Sequence, residues 1–241
     1  MLTIGEALIQ MRLCAKPILF EVGVEDAPYG GLAGTGCMVR FKQDLFLITA
    51  RHIVKENHLD ALLVFPNDET NESIPFKSCW VPHVNYEDSD CSDFILVRVE
   101  LEKLIVAERS VMKVLDLERA SDDWRSAPHE QRFLIFGYPT EACKIEYHEN
   151  RIMTTQHLMF GNFVGCSPSG FCYELEVVDF NGVTDLNGFS GSPVLSVPRV
   201  FGNHIHPSFC GMAIRGTKES GRIHFLDIAV LRKAIEYAVN A

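Results

Sequence analysis

The sequence holds no apolar run of the roughly 18 residues that a membrane-crossing helix needs, so no transmembrane helix is expected. Nor does the amino terminus read as a secretory leader. Glu6, Gln10, Arg12 and Lys16 interrupt the apolar residues near the amino terminus, and no cationic start precedes an unbroken apolar core. A cytoplasmic location is therefore the expectation, with no membrane partner. No basic run exceeds Arg232-Lys233, and 22 Lys plus Arg face 32 Asp plus Glu, for a formal net charge of −10. That balance excludes binding a nucleic-acid backbone through bulk charge. There is no CxxC pair, so a structural zinc site has little support. Neither an internal repeat nor a low-complexity tract is present.

What is present is the composition of a globular catalytic-sized domain. The 241 residues are 47% hydrophobic and 22% charged. Eight cysteines lie at 14, 37, 79, 91, 143, 166, 172 and 210, without the dense spacing of a disulfide framework. With no leader, they are expected to be free thiols acting as small, buried apolar residues. His204-Ile205-His206 places two imidazoles on one face of an extended segment, with Cys210 following; a polar loop is the plainer reading than a metal site. Asn71-Glu72-Ser73 fits a glycosylation sequon, which has no consequence without export.

Most segments read as strands. Cys37–Phe41, the polar turn Lys42-Gln43-Asp44 and Leu45–Thr49 form a predicted hairpin. Leu62–Phe65 and Phe94–Val99 follow. Residues 101–131 are more polar and read as the connection between two halves, with a strand over Val111–Leu117. Further strands are expected over Phe133–Pro139, Ile152–Phe163, Phe171–Val178, Pro193–Val197, Phe209–Ile214 and Arg222–Phe225. Two helices frame them. Near the start, Thr3 and Glu6 resemble a capping box before Leu8, Met11 and Ala15. At the end, Asp227 stands where an N-cap belongs, before Ile228, Leu231, Ile235 and Val239 at helical spacing. Many short strands and one terminal helix favour an all-β pair of barrels, or a sandwich, over alternating βαβ units.

Three segments carry chemistry. In Asn187-Gly188-Phe189-Ser190-Gly191-Ser192-Pro193, a hydroxyl flanked by glycines precedes a strand. Such a turn can project a nucleophile and converge backbone N–H groups on a developing oxyanion. It is also, alone, the pattern of an ordinary turn. In Leu47-Ile48-Thr49-Ala50-Arg51-His52, a histidine stands just past an apolar strand; a lone histidine there is more often a plain surface or core residue. In Asp90-Cys91-Ser92-Asp93-Phe94-Ile95-Leu96-Val97, an aspartate directly precedes an apolar strand. Its burial would be costly unless a partner such as His52 paired with it. Asp88 and Asp90 sit further into the polar loop. Taken together, the three segments give His, Asp and Ser in chain order, the order of the chymotrypsin type.

On these residues the chain resembles the trypsin-like serine peptidases, most nearly the bacterial branch of glutamyl endopeptidases and high-temperature-requirement proteases. The resemblance rests on Gly34-Thr35-Gly36-Cys37, Thr49-Ala50-Arg51-His52, Asp93-Phe94-Ile95-Leu96, Gly137-Tyr138-Pro139, Gly188-Phe189-Ser190-Gly191-Ser192-Pro193 and Cys210–Gly216, and spans about residues 30–240. It implies two six-stranded antiparallel β-barrels with a carboxyl-terminal helix. Residues 1–29 would be a helix and lead-in, 30–120 the first barrel with His52 and Asp93, and 121–241 the second barrel with Ser190. It further implies Ser190 as nucleophile, His52 as general base and acid, Asp93 as its orienter, and the N–H groups of Gly188 and Ser190 as oxyanion hole. Thr184 falls at the floor of the primary specificity pocket, and Ile214, Arg215 and Gly216 would pair with a protein or peptide substrate. No cofactor or metal is implied. Asp185, pointing inward, would favour a basic side chain; Thr184 with His224 would favour an acidic one; each is equally a satisfied turn group.

Departures from the family pattern open a second reading. Phe189 replaces the aspartate that captures a freed amino terminus in the digestive enzymes. Arg51 replaces the usual alanine, and Ile53 stands where secreted relatives place the cysteine that pairs with the Cys37 position. A catalytically silent binding module, or a peptidase held inactive until an activating protein arrives, is the alternative. The orientation of the Gly188-Phe189 peptide discriminates the two, an N–H turned away from the cleft favouring the inactive form.

Overall fold

The computed structural model describes residues 4–24, 27–54, 59–67, 72–82, 89–104, 112–120, 123–149, 151–167, 170–198 and 207–240. Thr3, Asn71, Asp88, Val111, His204 and His206 lie outside the described residues, so the expectations placed on them stand untested. Helix α1 (Ile4–Arg12) leads into β1 (Ala15–Val24) and the long β2 (Ala27–Phe41). The turn predicted after Phe41 is present, with Lys42 at φ 55°, and returns the chain as β3 (Asp44–Thr49). A single helical turn, α2 (Arg51–Val54), follows, then β4 (Leu62–Leu63), β5 (Phe76–Trp80), β6 (Ile95–Val99) and β7 (Leu115–Asp116).

These strands form one seven-stranded sheet in the order β4-β1-β2-β3-β6-β5, with β7 pairing parallel to β2. Among the described residues its ends do not meet. The first half is thus a curled half-barrel of seven strands, which takes the place of the first of the two barrels expected. The expected boundary at residue 30 falls inside β2, and β1 belongs to this sheet rather than to a lead-in. The reason is visible in its composition. Ile18, Leu19 and Phe20 are all buried, so no strict alternation marks the strand.

The second half is the closed barrel. Its strands are β8 (Gln131–Gly137), β11 (His157–Cys166), β12 (Cys172–Asp179), β13 (Pro193–Pro198), β14 (Ser208–Thr217) and β15 (Arg222–Asp227), in the cyclic order β11-β12-β15-β14-β13-β8. The hairpin β9 (Cys143–Glu146) and β10 (Arg151–Thr154) stands off it. Helix α3 (Ile228–Asn240) completes the chain, and Asp227 caps it by accepting the Ala229 N–H at 2.6 Å.

The connection between the halves is less polar in its effect than in its composition. Trp124 is buried and plugs the second barrel, meeting Phe133 and Tyr173 edge-on at centroid distances of 5.7 and 5.1 Å. Its neighbour Arg125 forms a two-pronged ion pair with the buried Asp227. One core runs through both halves: Ile18, Val39 and Leu96 of the first share it with Leu195, Met212 and Leu231 of the second. No helix among the described residues is long and apolar enough to cross a membrane.

Candidate active site

Strand pairing brings His52 and Asp93 together. Thr49, the last residue of β3, lies opposite Ile95, the first of β6, in an antiparallel pair. The residues just past β3 and just before β6 therefore meet at the same sheet edge. His52 is held there by α2, where the Ile53 N–H bonds back to Ala50. Asp93 ends the turn Ser89–Ser92, its N–H bonded to the Asp90 carbonyl at 3.2 Å. The carboxylate grips His52 twice. Its Oδ1 accepts the His52 backbone N–H at 3.0 Å, and its Oδ2 accepts the Nδ1–H at 2.6 Å. A carboxylate only accepts, so Nδ1 carries the proton of this bond, which in the neutral ring leaves the lone pair on Nε2.

The Ser190 turn is moored to both halves. The Thr35 N–H donates to the Ser190 carbonyl at 3.0 Å, and the Gly191 N–H donates to Ala213 of β14 at 2.7 Å. Thr35, fully buried in β2, is the hub. Its hydroxyl donates to the Gly188 carbonyl at 2.7 Å and accepts the Tyr138 N–H at 2.9 Å, while its carbonyl accepts the Thr49 hydroxyl at 2.8 Å. Gly188 and Gly191 have φ of 95° and 87°, and a Cβ at either would collide with backbone, of Tyr138 and Thr35 respectively. Phe189 is 2% exposed and anchors the turn in the second barrel's core, against Gly137.

The Asn187 carbonyl accepts the Thr140 N–H at 2.9 Å. In a trans peptide the next N–H, that of Gly188, points the opposite way. Among the described residues neither the Gly188 nor the Ser190 N–H has a hydrogen-bond partner, and no hydrogen bond joins the Ser190 hydroxyl to His52. Both His52 and Ser190 line one cleft of about 400 Å³, together with Gly188, Ile214, Arg215 and Gly216.

Thr184 and Asp185 are not brought into that cleft wall. Thr184 is turned to the Glu141 carboxylate, which takes both its N–H and its hydroxyl. Asp185 accepts the Asn187 backbone N–H at 3.1 Å and the side-chain amide at 2.5 Å, the satisfied turn group. His224, on β15, stands between Glu174 of β12, at 3.9 Å, and Arg215 of the cleft-lining β14, and is not among the residues lining the cleft. The lining is mixed: Leu186, Ala213 and Ile223 give it an apolar part, beside Thr140, Asn187 and Arg215. Sequence reasoning missed that apolar part, together with Thr35 and the Asp90–Arg215 ion pair at 2.7 Å that spans the two halves. Only the Gly-Thr-Gly block carried a signal for Thr35. Among the described residues no group of three His, Cys, Asp or Glu could hold a metal.

This architecture, a curled sheet and a closed six-stranded barrel with a terminal helix, is the trypsin-like serine peptidase fold. A Glu endopeptidase solved in complex with MPD superposes with a TM-score of 0.59 at 16% identity, covering 100% of this chain and 96% of that one. The Vibrio cholerae VesB protease gives 0.61 at 12% identity, over 94% of this chain and 64% of that one. A scabies mite inactivated protease paralogue gives 0.56 at 12% identity, over 97% and 94%. No protein-family model matches the sequence. No curated protein matches it either.

Proposed function

We propose that the protein is a serine endopeptidase working through an acyl-enzyme intermediate. The observation that carries this reading is the doubly bonded His52–Asp93 pair sharing a cleft with Ser190. Ser190 attacks the scissile carbonyl and His52 Nε2 takes its proton, then delivers it to the leaving amine. Asp93 holds the ring in that tautomer and offsets its charge when protonated. In substrate-free enzymes the hydroxyl–imidazole bond is often long and shortens on binding. The unspent N–H groups of Gly188 and Ser190 serve the oxyanion. Their freedom, and the Asn187 carbonyl drawn off to Thr140, favour this over the silent module. Phe189 orders the loop by burial, where the digestive enzymes use a salt bridge, so no freed amino terminus is required.

Ile214 to Gly216 pair with the substrate backbone as an added strand. The apolar part of the lining, Leu186, Ala213 and Ile223, then receives an apolar side chain. The test is fluorophosphonate labelling and proteome-wide cleavage mapping of the protein beside its Ser190→Ala variant. Labelling is lost in the variant, turnover falls by about 10⁴–10⁶, and cuts follow apolar residues. Labelling that survives the substitution would assign another nucleophile.

A further inference from the structure

The seam between the two halves holds a second pair of reactive groups, independent of the hydrolytic reading. Cys91, in the turn Ser89–Ser92 that ends at Asp93, places its sulfur 3.9 Å from that of Cys172 at the start of β12. All eight cysteines are thiols. Four of them, Cys14, Cys37, Cys172 and Cys210, are buried; Cys91 and Cys143 are half-buried, and Cys79 and Cys166 are exposed. The expectation of buried apolar fillers thus describes only half of the set. Cys91 and Cys172 come from opposite halves of the molecule and are 81 residues apart in sequence.

We propose that Cys91 and Cys172 form a reversible disulfide across this seam when a hydroperoxide is present. A disulfide needs sulfurs about 2.05 Å apart, so they close by roughly 2 Å, within reach of an adjustment in the four-residue turn Ser89–Ser92. Cys91, the more accessible, reacts first. Its sulfur attacks the peroxide oxygen, an S–O bond forms, the O–O bond breaks, and the alcohol or water leaves. Cys172 sulfur then attacks the Cys91 sulfur; the S–S bond forms and the S–O bond breaks, releasing water. Two thiols are oxidised, one hydroperoxide is reduced, and the two thiol protons leave with the oxygen products. Competing thiols are poorly placed. Burial pushes the Cys14 thiol up to about 12, raises Cys37 and Cys210 well above the ordinary thiol value, and also raises Cys79, Cys143 and Cys166.

The product is a clamp on the turn that carries Asp93, and it closes a long loop of chain. The full-length protein is treated with hydrogen peroxide under native conditions, remaining thiols are alkylated, and digested peptides are weighed. The expected result is a Cys91–Cys172 linked peptide, two hydrogens lighter than its parts. The unfolding temperature rises on the order of 10 °C, and dithiothreitol reverses both changes. Cys172→Ala and Cys91→Ser each abolish the link and the rise; the half-buried Cys91 site serves if the Cys172 variant fails to fold. Cys91 accumulating as sulfinic acid beside an unmodified Cys172, a scrambled mixture of pairs, or a link without thermal gain would overturn the proposal. None of these readouts depends on peptidase activity.

Discussion

Thr35 is the residue through which the first half positions the nucleophile. One hydroxyl both donates to Gly188 and accepts from Tyr138, in a place with no access to water. Thr35→Val keeps the volume and removes both bonds. Each stranded group costs about 1–3 kcal/mol, so thermal unfolding is expected several degrees lower, with turnover reduced because the Gly188 turn loosens. Thr35→Ser restores both. A valine variant as stable and as active as the parent would show that the turn is held by Phe189 and Gly191 alone. The same residue marks a boundary of legibility. His52, Asp93 and Ser190 each stand beside an apolar strand end or between glycines, so their places could be read in one dimension. Thr35 contacts residues more than a hundred positions away, and no local pattern announces that.

At the scale of elements, β12, β14 and β15 form the barrel wall behind the cleft, and His224 is a titrating group within it. Burial, then the charge of Arg215, holds its pKa below the ordinary 6.5, while Glu174 and Asp90 oppose this and Arg222 adds to it. The folded imidazole therefore resists a proton that the unfolded chain accepts. The stability this contributes is present above about pH 6.5 and is lost as pH falls through the lower folded value. Thermal unfolding measured at about pH 7 and about pH 5 is expected to show a smaller drop for His224→Gln than for the parent. An equal drop would locate the acid sensitivity elsewhere. Strand positions in this wall were largely legible, because Phe171–Val178, Phe209–Ile214 and Arg222–Phe225 carry the right residues between turns. Strands β5 and β9 were not, and the single strand expected over Ile152–Phe163 is broken into β10 and β11. The half-exposed residues of β5, β9 and β10 pair without an apolar face to betray them.

Across the whole molecule, the two halves share a core and are joined by polar ties that include Thr35 to the nucleophile turn, Asp90 to Arg215 and Tyr138 to Ala15. Neither half is then expected to unfold alone. Calorimetry should give a single transition whose calorimetric and van't Hoff enthalpies agree. Two resolved transitions would mean that the shared core contributes less than the contacts within each half.

The sequence alone determined the all-β class, the terminal helix with its Asp227 cap, and the three residues about which chemistry could gather. Those depend on periodicity, turn composition and short-range capping, all local properties. The tertiary structure decided that the first half curls as a seven-stranded sheet, that Thr184 and Asp185 turn to Glu141 and Asn187, and that Leu186, Ala213 and Ile223 join the cleft lining. It also decided that Cys91 meets Cys172. Each of these turns on which side chain faces which across strands distant in sequence, and packing sets that direction only once both halves are folded.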